Sequence, residues 1–259
     1  MSERPFLTAR WTDLLLLNFA VPADLIASVA PPGTEPDLHN DQAYISIVGF
    51  RFQNVRLLGL PIPGHTRFDE INLRYYVKRI VEGETRRGVV FIREIVPRRA
   101  VAIIANRLYY ENYITRPMRS AITMAGTELN TNDTIEYAWR TKASLQTKAG
   151  QGARSPSPHY WNHLAARVAS PLALPVPNSL EEFIVEHYWG YSRGRDGYTR
   201  EYRVAHIPWR IAAADAIQWD CDILGTYAPP FAEYLTAPPT SSIIAEGSAI
   251  QVFRGSRVI

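Results

Sequence analysis

The feature that most constrains this chain is a series of strand-length apolar segments laid end to end with turn residues between them. FDEINLRYYVKRI (68–80) and GVVFIREIV (88–96) are rich in β-branched and aromatic residues and flank VEGETRRG, the pattern of a hairpin. WTDLLLLNFAV (11–21) and AYISIVGFRFQNVRLLG (43–59) have the same character, the second with an expected bend near Gly49. MRSAITMAGTE (118–128) and NDTIEYAWRTKAS (132–144) predict a second hairpin around LNTN. YTREYRVAHIPW (198–209) reads as a strand, and SSIIAEGSAIQVFRG (241–255) as a closing hairpin that turns at Glu246–Gly247.

Three stretches read as helices. PADLIASVA (22–30) and PRRAVAIIANRLY (97–109) carry proline near the start. SLEEFIVEHYWGY (179–191) opens on a serine N-cap with acids in its first turn. QTKAGQGARSPSP (146–158) is polar and rich in loop residues. Strands outnumber helices and the hairpins are sequential. The expected fold is a single mainly β (α+β) domain over 1–259, antiparallel, with short helices packed at its ends.

At 259 residues and 46% hydrophobic content, the chain buries a core without staples. Its one cysteine, Cys221, excludes an internal disulfide and any cysteine-built metal cage, and suits a reducing cytoplasm. Of 28 basic residues only Lys78, Lys142 and Lys148 are lysine. No dense basic run interleaved with aromatics predicts nucleic-acid binding. Leu14–Leu17 is far shorter than the roughly 20 residues that span a bilayer, so no membrane segment is expected and the location reads as cytoplasmic. His159 and His163 are four apart beside a loop, a spacing too weak to specify a metal. Glycine-rich phosphate loops and nucleophile elbows are missing. Neither metal nor cofactor is expected.

Alternation along a strand sorts residues by face. Over 69–78, Ile71, Leu73, Tyr75 and Val77 share one face; Glu70, Asn72, Arg74, Tyr76 and Lys78 share the other. A carboxylate, an amide and a guanidinium stepping by about 7 Å can hold a small polar ligand. A solvated strand shows the same pattern, and alternation does not say which face is inside. In 200–208, Tyr202, Val204, His206 and Pro208 share a face, with His206 set among apolar residues in VAHIPW.

Taken in order, RWTDLLLLNFAVP (10–22), AYISIVGFRF (43–52), FDEINLRYYV (68–77), GVVFIREIVPRRAVAIIANRLYY (88–110), LEEFIVEHYWGYSR (180–193) and YRVAHIPW (202–209) resemble the YqjF-like proteins of bacteria. That resemblance implies the acetoacetate decarboxylase-like superfamily, whose fold is a closed, cone-like antiparallel β-barrel with a central cavity. Acetoacetate decarboxylases form a Schiff base through a lysine of depressed pKa. Their paired lysines follow a helix like 97–109, where this chain reads RLYYENYITRPM (107–118) and offers Thr115 and Arg116 instead. Arginine does not give up its proton and forms no imine. The resemblance also matches Glu70 to a glutamate of the decarboxylases.

The expected function is therefore binding of a small polar or carboxylate-bearing, anionic metabolite in a barrel cavity. Arg74 would clamp it, with Arg116 as a second clamp, and Glu70 would act as general acid or base. Asn72, Tyr110, Tyr113 and His206 would shape the site. The chemistry would be that of a lyase or isomerase without a Schiff base. Two alternatives stay open: a binding or sensing module without turnover, and imine chemistry through Lys78. Self-association is left open by the sequence.

Overall fold

The computed structural model describes residues 3–142, 159–194, 196–227 and 229–258; the loop expected at 146–158 lies outside them. The first half comprises β1 (Leu7–Val21), α1 (Ala23–Val29), β2 (Glu35–Pro36), β3 (Ala43–Leu57), β4 (Leu60–Pro61), β5 (Phe68–Val81), β6 (Glu84–Val96) and α2 (Arg99–Leu108). Next come β7 (Tyr113–Thr115), β8 (Met118–Thr123), β9 (Thr134–Lys142), β10 (His159–Val168), α3 (Leu180–Val185), β11 (Trp189–Arg193) and β12 (Thr199–Ala205). The chain closes with β13 (Ile211–Asp220), α4 (Ile223–Thr226), a 3-10 helix (Phe231–Thr236), β14 (Ser241–Ala245), β15 (Ala249–Val252) and β16 (Ser256–Arg257). The protein is mainly β. Among the described residues no helix is long and apolar enough to cross a membrane.

Strand pairing runs β1–β3–β5–β6–β11–β12–β15 and returns to β1. From β1 a second path leads through β14, β13, β10 and β9 to β8. Both paths need β1, which explains why LLLL is continuous instead of alternating. Leu15 and Leu17 enter one core with Ile47, Leu73 and Trp139. Leu14 and Leu16 enter another with Val48, Phe50 and Tyr76. A strand buried on both faces has no polar side to show.

The hairpins expected over 68–96 and 118–144 form as β5–β6 and β8–β9 within the described residues. Three expectations need correction. Helix 179–191 stops at Val185, and Trp189–Arg193 turn into strand β11. There Trp189 and Gly190 pair parallel with Gly88 and Val89, so the sheet is not wholly antiparallel. Third, β14 and β15 do not pair with each other. They lie along successive stretches of β1, Leu14–Asn18 and Leu7–Arg10.

The break between those stretches is a bulge at Asp13, whose φ is 57°. Gly247 crosses over it at φ 74°. A Cβ on Gly247 would lie 2.1 Å from the Trp11 carbonyl oxygen, so only glycine fits the crossing.

Candidate functional site

Residues of the strands in this circuit line a cavity of about 210 Å³. Its walls are largely apolar. β3 supplies Val48, Phe50 and Phe52; β1 supplies Trp11 and Leu14. One face of α2, built from Ala100, Val101, Ile104 and Ala105, closes over it. That i, i+1, i+4, i+5 spacing is the apolar stripe of an amphipathic helix.

Against this apolar lining stand a few polar groups. On β5, Glu70, Asn72 and Arg74 line the cavity, while Ile71, Leu73 and Tyr75 are buried in the core behind. The neighbouring strand β6 adds Glu94, the ladder partner of Asn72. The segment after α2 adds Glu111 and Tyr113, and β12 adds Tyr202. The Tyr113 hydroxyl donates to Glu70 Oε2 at 2.9 Å and Asn72 Nδ2 donates to Glu70 Oε1 at 3.0 Å. The Tyr202 hydroxyl donates to Glu111 Oε1 at 2.9 Å. Gly190 makes this last contact possible, since a Cβ there would fall 2.1 Å from the Tyr202 ring.

Three carboxyl groups so enclosed cannot all ionise cheaply. Burial pushes Glu70 up to about 7, against the pull of Asn72, Tyr113 and Arg74. Burial likewise pushes Glu111 up to about 8, with the charge of Glu70 adding to it and Tyr202 opposing. Glu94 lies well above the ordinary carboxylate range, through burial first and then Glu111 and Glu70. Burial of their hydroxyls holds Tyr113 and Tyr202 well above the usual phenol value, so both stay donors.

The cavity's basic side is formed by Arg74, His187 and His206. Arg74 donates through Nε to the Tyr76 hydroxyl at 3.3 Å and through Nη2 to the Ile184 carbonyl at 3.2 Å. That hydroxyl meets Ser46 Oγ at 2.6 Å, and Ser46 donates to Asn18 Oδ1 at 2.6 Å. A buried chain across β5, β3 and β1 thus fixes the guanidinium. His187 is pushed down to about 4 by burial, which outweighs Asp37 at 3.3 Å. His206 is also lowered by burial and stacks between Tyr188 and Trp209.

The structure thus brings together Glu70, Asn72, Arg74, Tyr113 and His206 around one cavity. It does not bring Tyr110, Arg116 or Lys78 there. Tyr110 takes φ 57°, which turns the chain, and its ring lies 4.6 Å under the Arg200 guanidinium. Arg116 hydrogen-bonds the Thr115 carbonyl where β7 runs beside β6. Lys78 pairs with Glu35 on β2 at 3.5 Å. No lysine is among the described residues that line the cavity.

Sequence reasoning missed Glu94, Glu111, Tyr202 and His187 as site residues. Two of these carried a signal: Glu94 is a lone acid in an apolar strand, and Glu111 a lone acid among tyrosines. Alternation sorts Tyr202 to the right face without giving it a role, and His187 falls within the helix expected over 179–191.

This architecture is the acetoacetate decarboxylase-like fold. The enduracididine biosynthesis enzyme MppR with bound HEPES superposes with a TM-score of 0.62 at 10% identity, over 98% of this chain and 88% of that one. An acetoacetate decarboxylase-like enzyme from Sphingomonas wittichii RW1 gives 0.59 at 11% identity, over 97% and 92%. Acetoacetate decarboxylase from Legionella pneumophila gives 0.57 at 11%, over 98% and 87%.

Residues 8–248 match the DUF2071 family model, described as an uncharacterized conserved protein, and the chain belongs to that family. It is 27% identical over 207 residues to the uncharacterized protein YqjF of Bacillus subtilis (strain 168), covering 80% of this chain and 75% of that protein. The YqjF-like resemblance of the sequence holds.

Proposed function

We propose that the cavity binds a small organic molecule and moves a proton at a carbon beside its carbonyl group, as a lyase or isomerase that forms no imine. The observation that carries this reading is the cluster of buried Glu70, Glu94 and Glu111 on the wall of a largely apolar cavity. Carboxyl groups with proton affinities near neutrality are suited to general acid–base work. Underlying it, we read the circuit of paired strands as the wall of a closed, cone-like barrel and the cavity as its hollow.

In this reading Glu70 takes or returns the proton, with Tyr113 donating to whichever oxygen carries charge. Arg74 holds an anionic group of the ligand through the part of its fork not used by Tyr76 and Ile184. The solved relatives support a small ligand: MppR has been captured with pyruvate and with the condensation product of pyruvate and imidazole 4-carboxaldehyde. Imine formation through Lys78 has no place in it, because that amine pairs with Glu35 away from the cavity.

The test is exchange of α-carbon hydrogens for deuterium in a panel of small keto acids and ketones, followed by NMR. Wild type should accelerate exchange for at least one member, and Glu70→Gln should lose at least 100-fold of that rate, the usual scale of a general base. Binding of panel members without any exchange would instead favour a sensing module with no turnover. In both cases Arg74→Ala should abolish thermal stabilisation by anionic members; an equal response from that variant sinks the clamp.

A further inference from the structure

Three buried polar atoms in the cavity wall have no hydrogen-bond partner: Glu94 Oε2, Asn72 Oδ1 and His187 Nδ1; Glu94 Oε2 is an acceptor once that carboxyl gives up its proton. Buried polar atoms are nearly always paired, and each exception calls for an explanation. Glu94 and Asn72 are 1% and 2% exposed and sit opposite each other on one rung of the β5–β6 ladder. Directly opposed residues bring their side-chain roots to about 5 Å, so their open acceptors flank one spot.

Asp37 only accepts, so the Nε2 of neutral His187 carries the proton and Nδ1 presents a lone pair. Trp11 Nε1 is the one unpaired buried donor among the described lining residues. The imbalance is toward acceptors, and the ionisable groups lean the same way: Glu70, Glu94 and Glu111 can each give up a proton, while Arg74 is the one fixed cation among the described lining residues. Arg74 lies one step along β5 from Asn72, about 7 Å away.

We propose that the ligand is amphoteric: a protonated nitrogen, such as a primary ammonium, sits on Glu94 and Asn72, while an anionic group reaches Arg74. This rests on the reading of the cavity as a ligand site and narrows what fills it. The size sets the body between the two heads. An apolar cavity of ~150 Å³ takes benzene, so about 210 Å³ takes one ring with short substituents. The rings of Trp11, Phe50 and Phe52 offer apolar faces to it. No bond is made or broken in this recognition. If Glu94 enters with its proton, ammonium binding sends that proton to solvent.

The experiment compares benzylamine, benzyl alcohol and benzoate as probes of thermal stability and by calorimetry on the unaltered full chain. Benzylamine should bind at least tenfold more tightly than benzyl alcohol, which has the same shape without the charge. Glu94→Gln, which keeps the volume and removes the charge, should erase that preference. Arg74→Ala should spare benzylamine and weaken benzoate.

If benzoate binds and benzylamine does no better than the alcohol, the nitrogen site is wrong while the ligand cavity stands. Equal benzylamine binding by wild type and Glu94→Gln also overturns it. Should none of the three bind, both readings fall. The three probes are compared on wild type, so the nitrogen site stands or falls there even if Glu94→Gln fails to fold.

Discussion

At Glu70 a single side chain joins burial, hydrogen bonding and charge, and the balance among them sets what the site does. Burial alone drives its proton affinity up, and Tyr113 and Asn72 restrain it. Removing one donor with Tyr113→Phe should raise the Glu70 pKa further. It should also destabilise the fold by about 1–3 kcal/mol in denaturant titrations, the cost of an unmet buried acceptor. An unchanged titration would mean that Tyr113 does not restrain the carboxyl. The pH dependence has a definite sign. A glutamate raised above its unfolded value binds its proton more tightly when folded. The Glu70 and Glu111 contribution is therefore fully present below the ordinary value of 4.5 and is lost as pH rises toward about 7 and 8. His187 runs the other way: its folded value near 4 costs stability as pH falls below 6.5. Glu111→Gln should flatten the loss between pH 5 and 8 relative to wild type, as read by melting temperature; parallel curves would contradict the shift. Gly190→Ala tests the Tyr202 contact by crowding its ring off Glu111.

Among the elements, β1 bears the most architectural weight, because it alone borders both paths of strands. Its Asp13 bulge lets β14 and β15 dock in succession, with Gly247 making the crossing. Gly247→Ala should cost about 1–3 kcal/mol through left-handed strain and the clash with Trp11. A stability equal to wild type would show that the crossing tolerates a side chain. The sequence shows some elements and hides others for physical reasons. The β5–β6 hairpin was legible because period-two alternation and a turn-rich loop agree, and the same alternation marked Glu70, Asn72 and Arg74. IAAADAIQWD, which forms β13, passed unread because its small alanines lack the β-branched signature. Residues 241–255 look like a hairpin because two strands flank a glycine turn, yet each strand pairs with a successive stretch of β1 and not with the other. Alternation also cannot foresee a left-handed residue such as Tyr110, which excludes its own ring from the cavity while Glu111 and Tyr113 line it.

Across the whole molecule, the circuit of strand pairings gathers a site from residues that sit far apart in the chain. Asn72, two residues from Glu70, meets Glu94 through a ladder, but Tyr202 reaches Glu111 across 91 positions and Arg74 meets the Ile184 carbonyl across 110. No local pattern encodes such meetings, which is why Tyr202 and His187 gained roles only from the fold. The central claim is that burial in this cavity wall holds glutamic acids protonated near neutral pH. Its most direct measurement is a carbon NMR titration of glutamate side-chain carboxyls, assigned with single Glu→Gln variants at 70, 94 and 111. The account predicts that these three titrate together, with apparent values in the neutral range or above, while surface glutamates ionise near 4.5. If all three were fully ionised by pH 6, the cavity would be wet and the acid–base reading would fail.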